Sequence, residues 1–77
     1  MKYYPVFLDV KGKDCLVVGG GPVGARKAAG LEKSGAMVTV ISDRFCNAFD
    51  SLESDRLKIC RKVYEKNDLE NRFLVFA

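Results

Sequence analysis

Six consecutive residues carry the strongest chemical signal in this chain: Gly19-Gly20-Gly21-Pro22-Val23-Gly24, a G-x-G-x-x-G run. Such a run is informative only where it joins a buried strand to a helix. Here the apolar segment Cys15-Leu16-Val17-Val18 precedes it, and an amphipathic segment opening at Pro22 follows. In that setting Gly19 allows the tight turn out of the strand, Gly21 lets the backbone approach a pyrophosphate, and Gly24 lets the helix lie close to the sheet. The helix N-terminus supplies about half a positive charge and unpaired N–H groups, so an anion there needs no basic side chain. Arg26 and Lys27 are therefore read as solvated surface charges. A plain glycine-rich turn ahead of an ordinary helix is the alternative, and the strand–helix–strand order disfavours it.

Choice among dinucleotides rests on the tip of the second strand, about 20 residues past such a loop. That tip is Ser42-Asp43-Arg44. Asp43 can accept hydrogen bonds from both ribose hydroxyls, which favours NAD; Arg44 can instead pair with a 2′-phosphate, which favours NADP. We expect NAD. Asp43 also suits the N-cap of a following helix, and the two roles are compatible.

Other chemistry is poorly provided for. Cys15, Cys46 and Cys60 show no C-x-x-C spacing, and no histidine exists to complete a zinc set or serve as a cysteine's base. We expect no metal site, with Cys15 and Cys60 packing in strands and Cys46 more exposed. The net charge is +3, and residues 1–44 carry all of the excess. Lys11, Lys13, Arg26, Lys27, Lys33 and Arg44 are dispersed rather than gathered in the stripe of a nucleic-acid binder. No apolar run approaches the roughly 20 residues of a membrane span, and Met1–Pro5 lacks a signal peptide's apolar core, so a cytoplasmic location is expected.

Positioning these residues requires a small α/β unit, and 77 residues allow one domain. Pro5–Val10 is β-prone, with Lys11–Asp14 as a turn. Cys15–Val18 reads as a central parallel strand. A helix runs from Pro22 to about Ser34, with Val23, Ala28 and Leu31 towards the sheet and Gly35 as its left-handed cap. Ala36–Ile41 is the second buried strand, and the helix between fits a parallel crossover. Arg44–Ser54 reads as weakly helical with Phe45, Phe49 and Leu52 on one face. Leu57–Tyr64 alternates like an edge strand, Asn67–Asn71 resembles a short capped helical turn, and Arg72–Ala77 begins a fourth strand. The expected fold is a Rossmann-like NAD(P)-binding parallel sheet with flanking helices, truncated after its fourth strand. Residues 1–77 would be the N-terminal part of one such domain.

Three stretches go beyond a generic dinucleotide fold: Tyr4-Pro5-Val6-Phe7-Leu8, Leu16–Lys27 with its triple glycine and Arg-Lys pair, and Gly35–Ile41. With them the chain resembles the N-terminal domain of the siroheme synthases, the precorrin-2 dehydrogenase and sirohydrochlorin ferrochelatase family, over essentially its whole length. The resemblance implies a homodimeric enzyme that oxidises precorrin-2 to sirohydrochlorin with NAD, often beside an activity inserting Fe²⁺. It assigns cofactor contacts to Gly19, Gly21, Pro22, Val23, Gly24, Ser42, Asp43 and Arg44. It places the acid/base aspartate and the dimerisation region beyond Ala77, so no catalytic residue is expected within the chain. A non-catalytic NAD(H)-binding regulatory module is the alternative function, and a remnant that binds nothing is the third.

Overall fold

The first strand, β1 (Asp14–Val18), forms where the apolar run predicts it and buries Cys15, Leu16 and Val17 almost completely. The computed structural model describes residues 9–76. The expected arm over Pro5–Val10 lies outside them except for its last two residues, which are not in a strand. Gly12 takes a positive φ of 72° in the turn before β1 and donates its N–H to the Gly35 carbonyl at 2.9 Å. That bond ties the entrance of β1 to the exit of the following helix.

The helix α1 (Pro22–Lys33) opens with proline at a position where its missing N–H costs nothing. It closes in a Schellman motif: Gly35, at φ 91°, donates to the Glu32 carbonyl at 3.0 Å, and Ala36 donates to Leu31 at 3.1 Å. Its buried residues are Ala25 and Ala28, whose small side chains let the axis approach the sheet. Val23, expected on that face, is 57% exposed. Gly24 brings the first turn so near the strand end that the sheet-facing arc starts at Ala25, which turns Val23 outward.

A right-handed crossover is the usual outcome of such a unit, and α1 leads to β2 (Met37–Ser42), parallel to β1 with Leu16 opposite Thr39 and Val18 opposite Ile41. The weakly helical stretch Arg44–Ser54 forms no α-helix. It holds one 3-10 turn, Asn47–Phe49, that buries Phe49. The aromatic pair explains the replacement: Phe45 and Phe49 meet edge to face at 5.0 Å, both against the core, which a short irregular turn satisfies as well as a helix would.

Strand β3 (Leu57–Arg61) is an edge, as its alternation predicts, but it ends three residues before Tyr64. Its partner β2 stops at Ser42, so the ladder has nothing further to pair with after Lys62 donates to the Ser42 carbonyl at 3.0 Å. A second 3-10 turn, Lys66–Leu69, precedes β4 (Leu74–Phe76), which returns to the far side of β1. The order is β3-β2-β1-β4 and every pairing is parallel. The core under α1 joins Cys15, Val17, Val38, Val40, Leu57 and Phe49. On β4 and just before it, Val75 and Phe73 remain exposed.

Candidate functional site

The strand order reverses between β1 and β4, and ligands of open α/β sheets bind outside the carboxyl ends of strands at such a switch point. The glycine loop leaves β1 there. Gly19 has a φ of 137°, a conformation side chains resist, and donates its N–H to the Ile41 carbonyl at 3.0 Å. Gly24 is closed in: a Cβ on it would run into the Gly19 carbonyl oxygen. Gly20, to which sequence reasoning assigned no role, is closed in too, because a Cβ there would collide with the Arg44 carbonyl. Its own carbonyl accepts the Cys46 N–H at 2.7 Å, so the loop after β2 is fastened to the glycine loop.

Gly21 is different. It caps α1 in an extended conformation, φ −88° and ψ −176°, that any residue adopts, and apart from its chain neighbours no described residue lies within 4 Å of where its Cβ would stand. Among the described residues neither backbone nor packing asks for glycine here, and the backbone is open to approach. The end of α1 suits an anion. No side chain caps it, its first turn has no acidic residue, and the Val23 and Gly24 amides have no carbonyl within the helix to donate to. These residues fit the pyrophosphate of a dinucleotide.

Two clefts flank the loop and share Val18 and Gly19. One, of 180 Å³, lies between the loop and β4, walled by Val17, Gly21, Val23, Gly24, Lys27 and Phe76. Lys27 places its ammonium 4.9 Å above the Phe76 ring, so it is a wall of this cleft and not merely a solvated charge. The spacing of Val23 and Lys27, one helical turn apart, puts both on one face and was the signal available in the sequence. Phe76 gave none, because its neighbour across the sheet is set by strand order.

The other cleft, of 260 Å³, gathers Ser42 and Asp43 from the β2 tip with Lys62, Val63 and Tyr64 from the segment that leaves β3. Ser42 Oγ accepts the Arg44 N–H at 3.3 Å and turns the chain there. Asp43 stands in the cleft wall, exposed, and does not cap the 3-10 turn, whose N-cap is Cys46. Arg44 is exposed and stands outside both walls. Lys62 and Tyr64 escaped sequence reasoning because they were assigned to the strand.

Lys62 is held. Its Nζ lies 2.8 Å from Asp68 Oδ1 and 3.9 Å from Glu65 Oε1. The Asp68 Oδ2 also accepts the Glu65 N–H at 2.8 Å, closing a capping box on the second 3-10 turn. The hydrogen bond to Asp68 pushes the Lys62 ammonium up from its ordinary value, and the same bond followed by the Glu65 N–H pulls the Asp68 carboxyl down. Asp68, with a lowered folded value, contributes stability above its unfolded pKa that is lost as pH falls through the folded one. Lys62, with a raised folded value, contributes below its unfolded pKa and loses it as pH rises through the folded one. The pair therefore holds through the neutral range. A carbon-detected NMR titration is expected to give Asp68 a midpoint below that of an ordinary aspartate, and Lys62→Met is expected to raise it.

Cys15 is fully buried, and burial pushes its thiol up, which suits packing and not nucleophilic attack. Cys46 and Cys60 are half-buried. Among the described residues no group of three or more His, Cys, Asp or Glu side chains is placed to hold a metal ion, and no helix is long and apolar enough to cross a membrane.

A glycine loop between a parallel strand and a helix, opening at a switch point with an acidic residue at the second strand's tip, defines a dinucleotide-binding unit of Rossmann type. Residues 6–77 match the profile of a family described as "Putative NAD(P)-binding", and the chain belongs to that family. Over its whole length it is 41% identical to a siroheme synthase of Thioalkalivibrio sulfidiphilus and 49% identical to one of Nitrosospira multiformis. It spans 16% of the length of each. Among solved structures, SirC, precorrin-2 dehydrogenase, superposes with a TM-score of 0.83 at 35% identity, over 95% of this chain and 37% of that one. The likeness to the N-terminal domain of siroheme synthases and the Rossmann-like parallel sheet, both expected from the sequence, are thus found.

Proposed function

We propose that this chain is the cofactor half of an NAD-dependent precorrin-2 dehydrogenase, and that the whole protein oxidises precorrin-2 to sirohydrochlorin on the way to siroheme. Gly21 carries the reading: it is a glycine that the packing of the described residues does not require, at an uncapped helix N-terminus, in a chain similar to siroheme synthases and to SirC. In this reading Gly19, Gly21, Pro22, Val23 and Gly24 cradle the pyrophosphate on the α1 amides. Ser42 and Asp43 face the adenine ribose, with the Asp43 carboxylate accepting from its hydroxyls, and Arg44 fixes that tip through its backbone contact with the glycine loop. Asp43 stands in the cleft wall while Arg44 does not, which supports NAD over NADP. Val17, Val23, Lys27 and Phe76 wall the cleft on the nicotinamide side and shield it from water. When bound, the nicotinamide supplies the acceptor for the hydride leaving the substrate. The catalytic acid/base, the tetrapyrrole contacts, homodimer formation, an accompanying iron insertion and a cytoplasmic location complete the proposal for the whole protein.

The test is to incubate the whole protein with precorrin-2 and NAD⁺ and to follow NADH fluorescence together with the absorbance of sirohydrochlorin. Both should rise in equal amounts. Dinucleotide binding without turnover would replace this reading by that of a regulatory module.

A further inference from the structure

We propose that the Lys62–Asp68 ion pair sets which dinucleotide the cleft accepts, with Asp68 holding Lys62 away from the ribose 2′ position so that a diol is welcomed and a 2′-phosphate is not. The proposal rests on the dinucleotide reading above. Lys62 stands at the right place because its N–H donates to the Ser42 carbonyl at 3.0 Å, which sets it beside the strand tip that carries Asp43. Among the described residues it is the one cation that walls this cleft.

Its partner is the fixed member of the pair. The Asp68 side chain is 11% exposed against 41% for Lys62, its Oδ2 accepts the Glu65 N–H at 2.8 Å, and its carbonyl accepts Arg72 Nε at 3.0 Å. A flexible ammonium is thus bound to an anchored carboxylate, and Glu65 adds a second at 3.9 Å. Three arginines are engaged elsewhere or stand outside the wall. Arg72 also donates to Thr39 Oγ1 at 3.3 Å, Arg61 lies 5.8 Å over the Phe45 ring, and Arg44 stands outside the wall.

Asp43 thus walls the cleft, while the ammonium of Lys62 is already taken by Asp68 and Glu65. A ribose diol donates to Asp43 and needs nothing from Lys62. A 2′-phosphate brings a charge of about −1.5 to −2, meets Asp43 as a like charge, and has to draw Lys62 off Asp68 before it finds a cation. An exposed pair alone is a weak barrier. Here the anchoring of Asp68 and the negative charge of Asp43 in the cleft wall act in the same direction.

Calorimetric titration of the whole protein with NAD⁺ and NADP⁺ tests this. The substitution Asp68→Asn keeps an oxygen for the Glu65 N–H while removing the charge that holds Lys62. It is expected to raise the NADP⁺-to-NAD⁺ affinity ratio about tenfold, the effect of one charge-assisted hydrogen bond, and Lys62→Met in that background should return the ratio to its starting value. Added salt should shrink the difference. An unchanged ratio, or equal loss of both affinities, overturns the specificity role while leaving the dinucleotide site standing. A native protein that prefers NADP⁺ overturns it as well. Failure of the native protein to bind either dinucleotide is the separate result that removes the underlying reading.

Discussion

Gly21→Val is expected to lower NAD⁺ affinity about a hundredfold while leaving the urea midpoint of unfolding where it is or slightly higher, a loss of about 3 kcal/mol confined to binding. The stability half follows from two observations. The backbone at Gly21 is extended rather than left-handed, and apart from its chain neighbours no described residue lies within 4 Å of the added Cβ. A residue replacing glycine under those conditions restricts the unfolded chain and strains nothing. The binding half follows from the same emptiness. The branched side chain would stand in front of the α1 amides, where a pyrophosphate has to reach the Val23 and Gly24 N–H groups to gain from the helix terminus. Calorimetry for affinity and denaturation for stability separate the two. An unaltered affinity would show that no ligand approaches the backbone at Gly21.

Gly24→Ala is expected to do the reverse, with a loss of about 3 kcal/mol from the fold itself and nucleotide binding falling with it. The added methyl would meet the Gly19 carbonyl oxygen, with the Gly19 carbonyl carbon at 3.1 Å. A backbone carbonyl has no rotamer to give, so α1 would have to back away from the end of β1. That movement would loosen Ala25 and Ala28 against the sheet. Gly20→Ala should cost a similar amount for a different reason, because its methyl would strike the Arg44 carbonyl and part the glycine loop from the segment after β2. Urea midpoints on all three variants check the set. A Gly24→Ala protein as stable as the native one would contradict the close approach of helix and strand.

The contrast among three neighbouring glycines shows where sequence reasoning reaches and where it stops. The fingerprint assigned Gly19, Gly21 and Gly24 distinct roles, and the positive φ of Gly19 and the tight surroundings of Gly24 agree with two of them. Gly20 occupied an x position and received no role, yet it is pressed against Arg44, far away in sequence. Its requirement lies in the loop it touches, which no local pattern contains. Val23 failed for a related reason. Helical periodicity assigned it to the sheet, but the closeness enforced by Gly24 rotates the first turn so that Val23 opens into the cleft with Lys27.

The helix limits and the two central strands were legible in the chain because their determinants are local. The apolar run Cys15–Val18, proline at the first helical position, and Gly35 in a left-handed cap each act within a few residues. So does the glycine fingerprint, whose form needs only the strand before it and the helix after it. The early end of β3, the 3-10 turn in place of a helix after Arg44, and the return of β4 to the outer side of β1 depend on partners far along the chain. The second cleft, which Lys62 and Tyr64 line together with Asp43, opens where β2 runs out of residues to pair. Hydrogen-bond ladders and packing between distant segments decide such features, and those interactions act only once the chain has folded.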